Sequence, residues 1–151
     1  MKNINNYILE KFKLSSKNVT KYKYHPETKE ELKELVKKLI KERGNDADLN
    51  DIDTSKITDM DGLFENSEFN GDISNWDVSN VISMNSMFYN SKFNGDISKW
   101  DVSNVTNMNY MFEDSKFNGD LSNWNVKKVK CMGYIFDNCP LEKNPPKWYK
   151  K

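Results

Sequence analysis

The sequence FNGDISNWDVSNV at residues 69–81 recurs with few changes at residues 93–105 (FNGDISKWDVSNV) and at residues 117–129 (FNGDLSNWNVKKV). Each copy begins 24 residues after the previous one. A fixed period of roughly 20–50 residues is the signature of a repeat protein, in which each unit buries its apolar side chains against its neighbours. The sequence therefore predicts a stack of 24-residue coils.

The same register continues beyond the three obvious copies. On the N-terminal side Leu49 aligns with Ile73, and on the C-terminal side Trp148 aligns with Trp124. The terminal units are degenerate, as expected of units that close the ends of a stack. We therefore expect the register to extend from about residue 47 to residue 148.

Two short patterns inside one copy predict its secondary structure. Trp76 and Val78 are separated by one residue, which favours a short strand at residues 75–79 with both side chains facing inward. The apolar residues of MNSMF, residues 84–88, have the i, i+3, i+4 spacing of one helical face, which predicts a short helix or 3₁₀ turn. The predicted fold class is therefore an α/β solenoid, with leucine-rich-repeat-like coils of a short parallel strand and a short helix.

The N-terminal part of the chain is not repetitive. An apolar stripe from Leu32 to Ile40 predicts an amphipathic helix that begins after Thr28 and ends at Gly44. A further short helix is expected at residues 4–12, and an edge strand at residues 19–25, ending before Pro26. Because this segment is basic and amphipathic, a membrane or nucleic-acid patch is the alternative to a cap that covers the first coil.

The predicted domain organisation follows from these patterns. Residues 1–46 form an N-terminal helical cap, residues 47–139 form the repeat array, and residues 140–151 form a C-terminal cap.

Tryptophan, methionine and phenylalanine recur in register and are predicted to fill the core. Aromatic ladders also bind sugars, and methionine clusters also bind soft metals, but the predicted inward position favours packing. These residues are Trp76, Trp100, Trp124, Met84, Met108, Met132, Phe69, Phe93, Phe117, Phe88, Phe112 and Phe136.

Composition excludes several classes of protein. The chain is 36% hydrophobic and 30% charged, and no apolar run approaches the roughly 20 residues that span a bilayer. Charges interrupt the N-terminus before an apolar signal region forms, so we expect a cytoplasmic protein without a membrane span. Cys131 and Cys139 are expected to be reduced and buried, and the one histidine, His25, is remote from them, so neither a metal site nor a cofactor is expected.

The repeats resemble those of a known family. Phrases such as WDVSNVTNMNYMF at residues 100–112 are similar to the BspA-like leucine-rich-repeat proteins, a large group found on bacterial surfaces and in lipoproteins. The resemblance covers residues 47–138, about 60% of the chain. It implies a right-handed solenoid used for adhesion or protein binding, without enzymatic activity.

Catalytic motifs are missing from the sequence. It contains no phosphate loop, no dinucleotide fingerprint and no metalloprotease helix, and no nucleophile motif accompanies His25. Carboxylates are numerous, but they recur by register, which explains them without catalysis. We therefore expect no enzymatic activity.

Charge is distributed unevenly along the chain, although the net charge is zero. Residues 1–43 carry a net charge of +6, residues 44–126 carry −11, and residues 127–151 carry +5. Two acidic rows recur in register within the middle part. One row contains Asp53, Asp77 and Asp101 and continues with Asn125; the other contains Asp48, Asp72, Asp96 and Asp120.

The row that begins at Asp48 is explained by hydrogen bonds from each carboxylate to the nearby backbone. The row that begins at Asp53 is expected to point outward from strands, where a side chain makes no local backbone bond, so its acids have no structural explanation. Recognition is also expected to use positions that vary between copies. The predicted partner-binding site therefore consists of the outward strand residues Asn75, Asp77, Lys99, Asp101, Asn123 and Asn125. Positions 86, 110 and 134 also vary, as Ser, Tyr and Tyr, and the edge near Tyr89 and Tyr110 is the second choice.

The predicted function is a non-enzymatic protein-binding module whose partner is another protein, without direct binding to nucleic acid. The alternative is an acidic inhibitor or decoy, encoded by a phage or mobile element, whose acidic stripe imitates nucleic acid. Calcium bound between the Asp rows is a third option.

Overall fold

The structure, a computed structural model, describes residues 21–151. Within that range one α-helix is present, α1 (Lys29–Arg43), and one 3₁₀ turn at Pro140–Glu142. The remaining described residues form turns and isolated parallel bridges, with no strand or sheet among them. The prediction of an α/β solenoid, with leucine-rich-repeat coils of strand and helix, is therefore wrong.

Residues 75–79 turn where a strand was predicted. The Asp72 carboxylate accepts the backbone N–H of Ser74 at 2.9 Å, and the Asp77 carboxylate accepts that of Ser79 at 3.0 Å. Each of these bonds starts a tight turn, because an Asx side chain offers the backbone an alternative to a strand ladder. The alternation of Trp76 with outward residues thus arises from two consecutive turns rather than from a pleat.

Residues 84–88 form neither the predicted short helix nor the alternative, a 3₁₀ turn. Met87 donates its N–H to the carbonyl of Met84 at 3.3 Å, an i to i+3 bond that 3₁₀ turns and β-turns share. Ser86 between them has a φ of 56°, in the left-handed region, which a right-handed helix cannot include. The N–H of Ser86 instead donates to the carbonyl of Asn109 in the next coil, at 2.9 Å.

The predicted 24-residue register is visible in the stacking of the coils. Parallel bridges join Asp59 to Ser83, Ser83 to Asn107 and Asn107 to Cys131, each step being one repeat. Phe93 stacks between Phe69 and Phe117 of the neighbouring coils, at 6.2 Å from each ring and within 5° of parallel.

The tryptophans are buried in register, as predicted, and each has a polar partner. Trp76, Trp100 and Trp124 are each 4% exposed. Each indole N–H donates to a backbone carbonyl 27 residues earlier, at 2.9–3.1 Å. The core interpretation of these residues is confirmed, and it also holds for Met84 and Met108, whereas Met132 is only partly buried.

Helix α1 matches its prediction. Thr28 caps the N-terminus by accepting the N–H of Glu31 at 3.1 Å, and the Glu31 carboxylate accepts the N–H of Glu27 at 2.8 Å. The helix ends at Gly44, which has a φ of 93°. Its apolar face is buried in the same cluster as the coils, through Leu32, Leu35, Val36 and Leu39.

Other N-terminal predictions are tested only in part. The predicted helix at residues 4–12 and residues 19–20 of the predicted edge strand lie outside the described residues. In the described part of that segment, Tyr24 forms an isolated parallel bridge with Ile52 of the first coil. The domain boundaries proposed at residues 46 and 139 stay predictions.

The two cysteines differ in exposure. Cys139 is buried and Cys131 is exposed, and both are free thiols. The expectation that both are buried is therefore wrong for Cys131.

No helix between residues 21 and 151 combines the length and the apolar character needed to cross a bilayer.

Candidate functional site

The six residues predicted to bind a partner are all exposed, and they lie on turns rather than on strands. We call the surface that they form the turn face. Asn75, Lys99 and Asn123 occupy one turn position in three successive coils; Asp77, Asp101 and Asn125 lie two residues further along the chain in each coil.

The second row of the turn face has a local structural role. The Oδ1 atoms of Asp77 and Asp101 accept the backbone N–H groups of Ser79 and Ser103, both at 3.0 Å. Asn125 makes the equivalent bond to the N–H of Lys127, at 3.2 Å. The expectation that these acids lack a local role is therefore wrong.

The second carboxylate oxygen of Asp77 and of Asp101 has no hydrogen-bond or ion-pair partner within residues 21–151. Hydrogen bonding by Ser103 lowers the pKa of Asp101 below its usual value. The Asp101 carboxylate is therefore charged at neutral pH and has one oxygen available for another molecule.

Asp53, at the same position of the first coil, shows how that second oxygen can be used. Its Oδ1 accepts the N–H of Ser55 at 3.0 Å, and its Oδ2 lies 3.2 Å from Nδ1 of His25. Burial raises the pKa of Asp53, but hydrogen bonds from Ser55 and His25 outweigh this effect and lower it. In the first coil a basic side chain from another segment thus binds the outward oxygen of this row.

The other acidic row follows its predicted explanation. Each carboxylate accepts the N–H of the residue two positions later, at 2.8–3.0 Å, in the pairs Asp48–Asn50, Asp72–Ser74, Asp96–Ser98 and Asp120–Ser122. Hydrogen bonds from these serines lower the pKa values of Asp72, Asp96 and Asp120.

Side chains join neighbouring coils along the turn face. The amide groups of Asn80 and Asn104 donate to the carbonyls of Ser55 and Ser79, each at 2.7 Å. These bonds hold each turn at a fixed position relative to the previous coil, so the turn face is a preorganised surface.

A second exposed feature is a pair of tyrosines, Tyr110 and Tyr134, which we call the tyrosine pair. The two rings stack at 5.3 Å and are within 2° of parallel. They are 39% and 57% exposed, and both residues have a φ of 58°. The sequence signal for this feature is the variation at positions 86, 110 and 134, whereas the left-handed backbone gives no sequence signal.

A metal centre is not formed by the acidic rows. Residues 21–151 contain no group of three or more His, Cys, Asp or Glu side chains arranged to hold an ion. The two Asp rows therefore do not converge on a calcium site within the described part of the chain.

Comparison with known proteins places the repeats in a family. A family model described as "Mycoplasma protein of unknown function, DUF285" matches residues 30–148, which is most of the chain. The chain belongs to this family. The resemblance to BspA-like proteins is confirmed at the level of the DUF285 family, which is related to them, but the leucine-rich repeats are not. Searches among curated proteins and among solved structures found no significant match.

Both exposed features lie within the DUF285 match. Residues 30–148 include the whole turn face and the tyrosine pair, while His25 precedes them. The family description states no function, so a functional proposal rests on the geometry of these surfaces.

Proposed function

We propose that the chain is a non-enzymatic protein-binding module that docks a partner protein on the turn face. The observation that carries this proposal is the pair of charged, exposed carboxylates at Asp77 and Asp101. Each uses one oxygen to hold its own turn and presents the other, without a partner in residues 21–151, to the surroundings.

The pattern of constant and variable positions supports the same surface. Phe69 and Trp76 repeat without change and are buried in the stack, so packing explains them. The position of Asn75 and Asn123 is lysine in one coil, at Lys99, and all three residues are exposed and contribute nothing to the core. A row that varies beside the two fixed charges of Asp77 and Asp101 is suited to distinguishing one partner from another.

Charge indicates the chemistry of the partner. Residues 44–126 carry a net charge of −11, and in the first coil His25 already approaches the equivalent carboxylate of Asp53. Lysine, arginine or histidine side chains on the partner would donate hydrogen bonds to the free oxygens of Asp77 and Asp101 in the same way.

The alternative function, an acidic decoy that imitates nucleic acid, has one supporting observation. The hydrogen-bonded carboxylates form rows in register, and those of Asp72, Asp96, Asp101 and Asp120 have lowered pKa values. A decoy would use many of these charges at once, whereas the turn face uses few. The dependence of binding on salt distinguishes the two functions.

The first experiment identifies the partner and tests the surface together. Wild-type protein and the double variant Asp77→Asn/Asp101→Asn are immobilised, and captured proteins from the native cell are quantified by mass spectrometry. Asparagine keeps the turn-forming acceptor, as Asn125 does, but removes the charge. We expect at least one protein to be captured by the wild type and lost by this variant.

A matched control removes two other charges. Glu65 and Glu68 are both exposed and do not belong to the turn face, and Glu65→Gln/Glu68→Gln gives the same net charge as the turn-face variant. It should retain the partner. Equal capture by all three proteins would exclude the turn face as the binding surface.

A further inference from the structure

A regular row of backbone hydrogen bonds that uses no turn-face residue joins each coil to the next. Met108 donates its N–H to the carbonyl of Cys131 at 2.7 Å, and Tyr110 donates to that of Gly133 at 2.9 Å. The equivalent N–H groups of the two preceding coils make the same bonds, from Met84 and Ser86 and from Met60 and Gly62. Every such donor up to Tyr110 therefore has an acceptor.

The row ends without acceptors. The N–H groups of Met132 and Tyr134, one repeat further along, have no hydrogen-bond partner within residues 21–151. Tyr134 is exposed and Met132 is partly buried. We call these two donors, together with the backbone between them, the open edge. An unpaired row of this kind is a template for an extended chain.

The C-terminal segment closes the rest of the row. Phe136 is buried, with the rings of Tyr149 and Trp148 at 5.1 and 6.0 Å from its own. The N–H of Asn138 donates to the carboxylate of Glu142 at 3.1 Å. The N–H of Phe136 also has no hydrogen-bond partner within residues 21–151, but this residue is buried beneath the rings of the C-terminal segment. The open edge is therefore confined to Met132 and Tyr134.

The tyrosine pair borders the open edge and occupies an unfavourable backbone conformation. Left-handed φ values favour glycine or asparagine, and Gly62 occupies this position in the first coil. Tyr110 and Tyr134 are exposed, so burial of their rings in the core does not explain their presence. The left-handed φ also occurs at Ser86 and so belongs to the path of the coil, but the coil does not require an exposed aromatic ring at this position, and such residues are often associated with binding.

Carboxylates gather three residues beyond the tyrosine pair. Burial and the nearby charges of Asp114 and Asp137 raise the pKa of Glu113. The side-chain amide of Asn138 already donates to Asp114 at 3.0 Å, and Asp137 is three residues after Tyr134 in the chain. A cation placed beside Asp137 would relieve this crowding of negative charge.

We propose that the open edge binds an extended peptide segment of a partner protein. The segment runs parallel to residues 131–137, as the coils do, and its carbonyls accept the N–H groups of Met132 and Tyr134. An aromatic side chain of the segment stacks on Tyr134, and a lysine or arginine three positions later faces Asp137. The residue between them that faces Phe136 is small, because Tyr149 covers that ring.

This site uses none of the turn-face residues, so its test is independent of the proposed function. The probe is the synthetic peptide Asn-Met-Asn-Tyr-Met-Ser-Lys, which is residues 107–111 followed by serine and lysine. In the chain, the carbonyls of Asn107 and Asn109 accept from Met84 and Ser86, so the peptide offers the acceptors that the open edge lacks. Control peptides replace its tyrosine with alanine or its lysine with glutamate.

Amide hydrogen exchange measured by NMR provides the readout. In the free protein the amides of Met132 and Tyr134 should exchange rapidly, and those of Met108 and Tyr110 slowly. The peptide should protect the first two amides, and each control peptide should bind about tenfold more weakly, as expected for the loss of one such contact. Absence of binding at millimolar peptide would overturn the proposal.

Matched protein variants separate the backbone donor from the side chain. Met132→Pro removes the N–H, and Met132→Ala removes the same side chain but keeps the donor. Tyr134→Asn removes the ring while suiting the left-handed backbone, as Asn66 and Asn90 do. We expect binding to survive only in Met132→Ala, with all three variants folded.

Equal peptide binding by Met132→Pro and Met132→Ala would also overturn the proposal. So would sedimentation velocity showing a dimer of the free protein in which Met132 and Tyr134 are protected, since the occupant would then be a second copy of this chain.

Discussion

The indole N–H of Trp100 donates to the backbone carbonyl of Ile73 in the preceding coil at 3.1 Å, and this bond is repeated at every tryptophan of the stack. The side chain thus adds a hydrogen bond between coils to those that backbone groups make. A buried carbonyl that loses such a donor is costly, because water cannot replace it.

Replacement of Trp100 by phenylalanine should therefore destabilise the protein. The change keeps an aromatic ring but leaves the Ile73 carbonyl unpaired and a small cavity behind, so we expect a loss of about 2–3 kcal/mol. Urea unfolding measures it. The control is Trp148→Phe, because Trp148 makes the same bond but is only partly buried; an equal loss at both positions would contradict the explanation by burial.

Gly71 should be the glycine least tolerant of a side chain. A Cβ at this position would lie 2.0 Å from the carbonyl oxygen of Ala47, a backbone atom that cannot move without shifting the coil. Gly71→Ala is expected to cost about 2–3 kcal/mol in thermal or urea unfolding. Gly133→Ala is the control, because its Cβ would meet only the Asn109 side chain at 3.3 Å. A smaller loss at Gly71 than at Gly133 would be inconsistent with the close approach of these coils.

Stability should fall in acid because several carboxylates are hydrogen-bonded in the folded state. The pKa values of Asp72, Asp96, Asp101 and Asp120 are lowered from the usual 3.8. A carboxyl group whose pKa is lowered by folding stabilises the folded state at pH values above its pKa in the unfolded chain. This stability is lost as the pH falls through the pKa of the folded state. The raised pKa of Glu113 makes the folded state more stable in acid, but this is one group against four aspartates.

Urea midpoints should therefore be constant near neutral pH and decrease once the pH falls below about 4. The variant Asp72→Asn/Asp96→Asn keeps the turn acceptors and should show a smaller decrease. A midpoint that rises on acidification would mean that repulsion between the acidic rows outweighs their hydrogen bonds.

Salt dependence should distinguish the two candidate functions. A turn face that uses two carboxylates should lose about tenfold in affinity between roughly 50 and 200 mM salt. A decoy that imitates nucleic acid with six to ten ion pairs would lose about a thousandfold or more over the same range. Affinity titrations with the captured partner give the slope, and a steep slope would favour the decoy.

The sequence predicts the stacking but not the backbone path. The period places Trp76, Trp100 and Trp124 correctly in the core, because equivalent residues of a stack must share one environment. The helix prediction also holds, since Leu32, Leu35 and the other apolar residues of α1 have an unambiguous period.

The strand and helix of each coil could not be predicted correctly from the same patterns. Spacing of two between Trp76 and Val78 fits a pleat, but it equally fits two successive Asx turns, and the bond from Ser79 to Asp77 decides for turns. The i, i+3, i+4 spacing at residues 84–88 fits a helix, but the left-handed φ of Ser86 excludes it. Neither hydrogen bond nor φ is visible in a hydrophobic pattern.

The repeat register in the sequence predicts where the candidate site lies, but not how its residues are held. Exposure of Asn75, Lys99 and Asn123 follows from the polar alternation, so it could be predicted. The local role of Asp77 and Asp101 could not, because it depends on the turn that replaces the strand.

The most direct test of the account is the affinity of the captured partner for two double variants, measured by titration calorimetry. Asp77→Asn/Asp101→Asn and Glu65→Gln/Glu68→Gln remove the same charge, and both should unfold at the wild-type temperature. Binding through the turn face predicts a loss of at least about tenfold for the first variant and wild-type affinity for the second. Equal affinities for the two variants would contradict it.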